Sequence, residues 1–245
     1  GGMVTDLGGF AASTFKRGIQ YINIPTTLLA MVDASVGGKT GINFNGLKNE
    51  IGVFSPAEYV LLDTEFLKTL DIHNILSGYA EMLKHGIIST TEHWAELLNF
   101  DMNQIDYKAL QELVAKSVKI KEDIVEQDPF EKGIRKALNL GHTVGHAFES
   151  LALENNRPVL HGHAVAWGIV CELYFSYCKT GFPKDKLRQT IQFIKENYII
   201  TKAQTTFNTN DSEPRNYKPA DPPSYNGFVD KALSCKYRQH HQCQN

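Results

Sequence analysis

The stretch NLGHTVGHAFE, residues 139–149, is the part of the sequence that most strongly indicates the fold and its chemistry. His142 and His146 are four positions apart, so they share one face of a predicted helix, and Glu149 follows three positions later. The pattern is not the HExxH of zinc proteases, because no glutamate follows the first histidine. We therefore expect a helix that presents imidazoles on one face, in a protein that is not a protease of that type.

Two further segments supply the same kinds of side chain. The segment LHGHAV places His161 and His163 where a loop meets a helix, and GYAEMLKHG places Glu81 and Lys84 one helical turn apart. Histidine and glutamate from separate segments are the ligand types of a catalytic zinc site, which uses three protein ligands and keeps one position open. Spacing alone leaves the alternative that these histidines are ordinary core or surface residues.

The first part of the chain, residues 1–70, mixes turn signals with β-rich runs. Strands are predicted at residues 20–29 and 59–63, and a helix at residues 7–16. The chain opens on a predicted glycine turn, Gly1-Gly2-Met3-Val4-Thr5-Asp6, with no strand in front of it. This part therefore resembles the later portion of an α/β nucleotide-binding unit, and we expect its front to be absent.

Residues 71–198 predict helices alone, and residues 199–245 predict a disordered tail. Apolar periodicity favours helices at residues 74–85, 94–100, 107–127, 143–153, 164–179 and 185–198. After residue 198 the periodicity ends and four prolines follow, at positions 214, 219, 222 and 223. The sequence thus predicts an α/β part, an all-helical part and a divergent tail.

Composition favours a small-molecule partner. Lys and Arg total 25 against 27 Asp and Glu, without long charge runs, so neither nucleic acid nor an anionic membrane is an expected partner. No apolar run approaches the length of a membrane span and no signal peptide opens the chain, which predicts a cytoplasmic protein. Four cysteines occur, Cys171, Cys178, Cys235 and Cys243. The first two lie seven residues apart in a helical pattern, which favours buried reduced thiols over a disulfide framework.

Two lysines stand in unusual positions. Lys121 interrupts the apolar stripe of the helix at residues 107–127, so it either extends to the surface along its methylenes or meets an anion in a cleft. Lys39 ends the segment DASVGGK, which lacks the first glycine of a P-loop because Asp33 occupies that position. The segment is either an ordinary tight turn or one that brings amides and an ammonium to a phosphate or carboxylate.

Six blocks of sequence, in order and spacing, resemble the 3-dehydroquinate synthase family of sugar-phosphate cyclases over residues 1–198. They are GGxxxDLGGFxAxxxxRGI, IPTTLLAMVDASVGGKTGIN, LKNxIGxF, GYAEMLKHG, EKGIRKALNLGHTVGHAFE and LHGHAVAWG. The resemblance implies an α/β N-terminal remnant of a Rossmann-like NAD-binding domain, residues 1–70, followed by an all-α metal-binding domain, residues 71–198. It also implies a homodimer in the full-length family.

The resemblance further implies an activity. The family converts 3-deoxy-arabino-heptulosonate 7-phosphate to 3-dehydroquinate and phosphate in the shikimate pathway, with NAD and with zinc or cobalt as cofactors. The reaction oxidises a ring hydroxyl, eliminates phosphate, reduces the ketone again and closes the ring by an aldol step. The lysines and Arg135 would anchor the carboxylate and the phosphate.

Site residues follow from the family's motifs. The metal ligands implied are Glu81, His142 and His161. The NAD site implied comprises Gly1, Gly2, Asp6, Thr26, Thr27, Lys48, Asn49, Phe66 and Thr69. The substrate pocket implied comprises Arg17, Asp33, Lys39, Lys84, Lys121, Arg135, Asn139 and His146, with catalytic roles for Lys39, Lys84, Asn139 and His146. His146 either transfers a proton or supports the zinc histidines by hydrogen bonding.

The sequence departs from the family at both ends. On the order of 100 residues, about a domain's worth, are expected to be missing in front of Gly1, and nothing after Tyr198 resembles the family. A shifted reading frame or a splice of unrelated sequence would explain the tail, and its C-x4-H-H-x-C arrangement follows no established metal-ligand spacing.

We expect zinc binding to survive better than NAD binding in this chain. The alternatives are a related cyclase, a glycerol-type metal-dependent dehydrogenase and an inactive fragment.

Overall fold

The computed structural model describes residues 1–45 and 47–198, with the backbone alone at Leu47 and Lys48. Its helices are α1 (Gly2–Thr14), α2 (Ile72–Ile88), α3 (Thr91–Leu98), α4 (Tyr107–Gln127), α5 (His142–Glu154), α6 (His161–Thr180) and α7 (Lys184–Asn197). Its strands are β1 (Ile22–Asn23), β2 (Lys39–Phe44), β3 (Leu47–Phe54) and β4 (Tyr59–Val60). Shorter 3-10 or π segments lie at Phe15–Arg17, Ala30–Ala34, Thr64–Thr69 and Ile134–Asn139. The predicted tail and its cysteines lie outside the described residues.

The first part contains less strand than predicted. Only β1 remains of the strand expected at residues 20–29, and it pairs in parallel with β4. Pro25 lacks a backbone N–H for continued pairing, and the Thr27 hydroxyl accepts a hydrogen bond from the Ala30 N–H at 3.3 Å, which favours a helical turn. The prediction of a long strand was therefore wrong beyond Asn23. The antiparallel hairpin of β2 and β3 was not predicted.

The start of the chain also differs from the predicted glycine turn. Helix α1 begins at Gly2, so the residues expected to form that turn are helical. The helix ends at Thr14 rather than residue 16, because Lys16 and Arg17 adopt positive φ angles of 49° and 70°. The turn before Lys39 does form, with Gly37 and Gly38 at φ of 103° and 68°.

The predicted helices of residues 71–198 are confirmed, with shifted ends. The helix at residues 107–127 matches α4, and the others begin one to three residues earlier than predicted. Capping side chains explain several starts: Asp71 accepts from the Asn74 N–H at 3.0 Å and Thr90 from the His93 N–H at 3.2 Å. A hydrophobic period locates the middle of a helix, whereas its first turn depends on these polar contacts.

Helix α2 is the centre of the core. Every residue from Ile75 to Gly86 is buried, because α3, α4 and α6 pack around it. The ring of Tyr79 stacks between Phe100 and Phe193 at centroid distances of 5.8 and 5.9 Å. Any polar side chain in the middle of α2 is thereby removed from water and needs a partner within the protein.

Two glycines bring α2, α5 and α6 unusually close together. At Gly162 on α6, a Cβ atom would collide with the Ser77 carbonyl on α2, and the Gly162 N–H donates to the Ser77 hydroxyl at 3.0 Å. At Gly168 on α6, a Cβ would collide with the Gly141 carbonyl that precedes α5. The backbones therefore approach within a distance that a side chain would prevent.

Helix α5 is capped from another helix. Its N-cap residue, Gly141, has no side chain and adopts φ 81°. The Glu172 carboxylate on α6 accepts from the Gly141 N–H at 2.8 Å and from the Val144 N–H at 3.1 Å. This bond pair satisfies free amides of the first turn and complements the helix dipole, so it fixes α5 against α6.

The cysteine prediction is partly confirmed. Cys171 and Cys178 are both reduced thiols outside any disulfide, but only Cys171 is buried. Among residues 1–45 and 47–198, no helix is long and apolar enough to cross a membrane.

A pair of identical substitutions tests the helix crossing. We expect Gly168→Ala to lower the free energy of unfolding by about 1–3 kcal/mol through overpacking. Gly8→Ala on exposed α1, where a Cβ meets nothing within 4 Å, should instead raise it by about 0.5–1 kcal/mol through helix propensity. Urea unfolding measures both, and a stabilising Gly168→Ala would contradict the close approach.

Substitution of Glu172 tests the cap of α5. Glu172→Ala leaves two amides without their acceptor and should lower the free energy of unfolding by about 2 kcal/mol. Glu172→Gln retains one acceptor oxygen and should lose about half as much. Thermal and urea unfolding provide the measurement, with Glu126→Ala on the exposed end of α4 as the matched control. Equal effects of Glu172→Ala and the control would contradict the role of this carboxylate.

Candidate functional site

Glu81, His142 and His161 come from three different helices and converge on one point. The Oε1 atom of Glu81 on α2 lies 3.5 Å from Nε2 of His142 on α5 and 3.5 Å from Nε2 of His161 on α6. All three ligand atoms lie within 4.8 Å of one another. Glu81 is fully buried, and its Oε1 has no hydrogen-bond partner among the described residues. A buried carboxylate oxygen facing two imidazole nitrogens is the donor set that a zinc-type cation requires.

The two histidines are held through the same ring nitrogen, Nδ1. Nδ1 of His142 lies 3.3 Å from the Leu140 carbonyl oxygen, and Nδ1 of His161 lies 3.1 Å from Oε1 of Glu149. Each ring is thus anchored on one nitrogen and directs the other toward Glu81. This arrangement suits metal ligation, in which the second imidazole nitrogen donates its proton to an acceptor.

The histidines differ in their proton affinity. Burial lowers the pKa of His142 below its ordinary value, and the nearby Glu81 carboxylate only partly offsets this effect. Burial also opposes the charged form of His161, but the hydrogen bond to Glu149 and the nearby Glu81 carboxylate outweigh it and raise its pKa to about 9. His161 therefore stands between two carboxylates, whereas His142 faces one.

A network of buried charges surrounds these groups. Lys84, one turn after Glu81 on α2, is buried and forms an ion pair with the second oxygen of that carboxylate. Lys121 is also buried, and its ammonium donates to the carbonyl oxygen of Asp33 at 2.6 Å and to the Asp33 carboxylate. Lys121 therefore does not extend to the surface; it meets an anion, and that anion is the Asp33 carboxylate of the protein itself. Although burial raises the pKa of Asp33, Lys121 lowers it to about 2, and Lys84 helps hold the pKa of buried Glu81 well below its usual range.

A second polar group lies toward the surface. The exposed ammonium of Lys39 pairs with Glu131, and the Asn139 side-chain amide donates to the same carboxylate at 2.7 Å. Arg135 is buried and donates to the carbonyl oxygens of Gly37 at 3.0 Å and Pro129 at 2.7 Å, which fixes the turn before Lys39. The structure thus brings together predicted substrate residues that are about a hundred positions apart in the chain.

Sequence analysis missed Glu131 and did not assign Glu149 a role. Glu131 lies at the start of the block EKGIRKALN and links Lys39 to Asn139. Its φ of 58° is unusual for a residue with a side chain, but only the structure reveals it. Glu149 is contiguous with the histidine pattern, and its contact with His161 depends on how α5 crosses α6.

His146 lies on the outer side of the group formed by Glu81, His142 and His161. Its side chain is 55% exposed, and its ring centroid lies 5.5 Å from that of His142 and 5.8 Å from that of His161. Its Nε2 is 3.9 Å from Oε2 of Glu149. This exposed imidazole, beside two partly buried ones, is accessible to a small molecule from solvent.

The predicted NAD residues are spread over several elements. Gly1 lies against Thr27 at the start of α1, where no side chain caps the helix. Asn49 is in β3 with its N–H bonded to Asn43, and the side chain of Lys48 lies outside the described residues. The remaining members of the set are Gly2 and Asp6 in α1, Thr26 before the π segment, and Phe66 and Thr69 in the 3-10 helix at Thr64–Thr69. Arg17, predicted for substrate, is exposed after α1.

Comparison with known proteins identifies the family of the chain. Residues 1–77 match the family model for the 3-dehydroquinate synthase N-terminal region, and residues 78–215 match that for its C-terminal region. The second match extends past Tyr198, so the expectation that nothing after that residue resembles the family was wrong. A 3-dehydroquinate synthase of Parabacteroides distasonis is 64% identical over 198 residues, which cover 81% of this chain and 56% of the relative. A 3-dehydroquinate synthase of Streptococcus pyogenes is 43% identical over 201 residues, which cover 82% of this chain and 56% of the relative. The chain thus spans about half the length of the curated relatives it matches.

Solved structures show a similar fold. A 2-epi-5-epi-valiolone synthase from Streptomyces hygroscopicus, solved with NAD+ and Zn2+ bound, has a TM-score of 0.71 at 29% identity, covering 80% of this chain and 54% of that one. A 2-deoxy-scyllo-inosose synthase solved with carbaglucose-6-phosphate, NAD+ and Co2+ has a TM-score of 0.72 at 25% identity. The match covers 81% of this chain and 55% of that synthase. With both family models matched in order along the sequence, this chain belongs to the 3-dehydroquinate synthase family.

Proposed function

We propose that this chain acts as a 3-dehydroquinate synthase, a lyase that converts 3-deoxy-arabino-heptulosonate 7-phosphate to 3-dehydroquinate and phosphate. The observation that carries the proposal is the convergence of Glu81, His142 and His161 beside two buried lysines. Identity of 64% to a 3-dehydroquinate synthase favours this substrate over those of other cyclases. The shared fold of the valiolone and inosose synthases supports a common cyclase chemistry.

The metal proposed for Glu81, His142 and His161 is zinc, with cobalt as an alternative. The buried Oε1 of Glu81 accepts no hydrogen bond and faces two imidazole nitrogens at 3.5 Å, which supports a cation between these three atoms. Zinc, when bound, supplies Lewis acidity toward a substrate oxygen. The related structures solved with Zn2+ and with Co2+ favour the same two ions.

The cationic residues bind the anionic substrate in this proposal. Lys84, Lys121 and Lys39 each pair with a carboxylate of the protein, yet an ammonium carries three donors and only some are used by these pairs. Arg135 presents a guanidinium suited to phosphate or carboxylate. Asn139 and Asp33 orient the substrate beside these groups, and exposed Arg17 completes the predicted set.

Proton transfer is assigned to His146 and NAD binding to the first part of the chain. Nε2 of His146 can accept a proton from substrate and return it, with Glu149 at 3.9 Å to stabilise the cation.

NAD, when bound, carries the hydride chemistry. The uncapped first turn of α1 offers amides for its pyrophosphate, and the parallel pair β1 and β4 is compatible with a Rossmann-like remnant at residues 1–70. A cytoplasmic location and a homodimer stay predictions.

Turnover by the full chain tests the proposal. With NAD, zinc and 3-deoxy-arabino-heptulosonate 7-phosphate, we expect NAD-dependent release of phosphate and formation of 3-dehydroquinate. Loss of a metal ligand in His142→Ala removes several kcal/mol of charge stabilisation and should slow turnover by about 100-fold or more. His73→Ala, which removes an imidazole elsewhere on α2, is the matched control. Phosphate release that is equally fast in His142→Ala, or absent from the unmodified chain loaded with zinc and NAD, would contradict the proposal.

A further inference from the structure

The two predicted metal-ligand histidines are anchored by different kinds of acceptor. His142 is held through Nδ1 by the Leu140 backbone carbonyl, which belongs to its own chain segment two residues earlier. His161 is held through Nδ1 by a side chain, the carboxylate of Glu149 on the neighbouring helix α5. The orientation of His161 therefore depends on a group that substitution can remove, whereas that of His142 does not.

Glu149 is well placed for this contact. It follows His142 by two helical turns on α5 and its side chain is 24% exposed, on the side where α6 begins. His161 is the first residue of α6, and its N-cap, Leu160, offers no side-chain cap that would restrain this end of the helix. The 3.1 Å contact between Oε1 of Glu149 and Nδ1 of His161 thus joins the two helices beside the predicted metal ligands.

We infer that Glu149 is a positioning residue for the metal site: its carboxylate accepts the Nδ1–H of His161 and so directs the Nε2 lone pair of that ring at the cation. The inference rests on the metal site of the proposed function and adds a residue to it. A neutral imidazole has one N–H and one acceptor nitrogen, so a fixed acceptor at Nδ1 selects the form that can ligate through Nε2. Without Glu149, ring rotation and the other tautomer compete with ligation.

The same carboxylate belongs to a second group that could hold a cation. Ligand atoms of His146, Glu149 and His161 also lie within 4.8 Å of one another. Occupation of both groups at once would require His161 to ligate through both nitrogens, which demands loss of its N–H. A single ion at Glu81, His142 and His161, with Glu149 as the hydrogen-bond acceptor, needs no such deprotonation and is the arrangement we assign.

Zinc affinity of Glu149 variants tests the inference. Competition with a chromophoric chelator measures zinc binding by the full chain, and the visible spectrum of the Co2+ form reports the geometry of the ligands. Glu149→Leu should weaken zinc binding on the order of 10- to 100-fold and alter the Co2+ spectrum. Glu149→Gln keeps an acceptor oxygen without the charge and should lose less affinity than Glu149→Leu.

Two controls separate positioning from charge and from folding. Glu154→Gln removes the same charge from the exposed end of α5 and should leave affinity unchanged. A cooperative thermal transition of each variant without metal shows that it is folded; if Glu149→Leu fails to fold, the size-matched Glu149→Gln decides. Unchanged affinity and spectrum in the Glu149 variants, or equal losses in Glu154→Gln, would overturn the inference alone. Absence of zinc binding by the unmodified chain, or two ions per chain, would overturn the metal site and the inference together.

Discussion

The buried carboxylate of Glu81 is the constraint on which the site depends. It lies in the middle of α2, where every neighbour from Ile75 to Gly86 is buried, so it must be neutralised within the protein. Lys84 satisfies one of its oxygens, and the other faces the two histidines without a hydrogen bond. A cation at that oxygen would complete the compensation and would account for a costly charge in the buried middle of α2.

Close helix packing makes this convergence possible. Glycines at the crossings of α6 with α2 and with the start of α5 allow backbone contact, and Glu172 fixes α5 where its own N-cap has no side chain. The same crossing places Glu149 against His161, on the side of that imidazole that faces away from Glu81. The glycines and Glu172 that set the distances between the helices therefore also set the distances between the side chains of Glu81, His142 and His161.

Much of the helical part could be predicted from the sequence, since apolar periodicity located each helix and the pair His142 and His146 identified one face. The partners of charged residues could not, because they depend on tertiary contacts: Lys121 meets Asp33 from 88 positions away, and Lys39 meets Glu131. The strand predicted at residues 20–29 failed since Pro25 and the Thr27 hydroxyl override β propensity locally. The roles assigned to individual site residues stay predictions.

X-ray absorption spectroscopy of the zinc-loaded full chain is the most direct test of the metal site. Glu81, His142 and His161 as ligands predict two imidazole nitrogens and a carboxylate oxygen at about 2.0–2.2 Å, with no sulfur neighbour. The imidazole signal should decrease in His142→Ala. A sulfur shell near 2.3 Å, or a spectrum unchanged by His142→Ala, would show that the ion binds elsewhere and would contradict the convergence of the three helices on one cation.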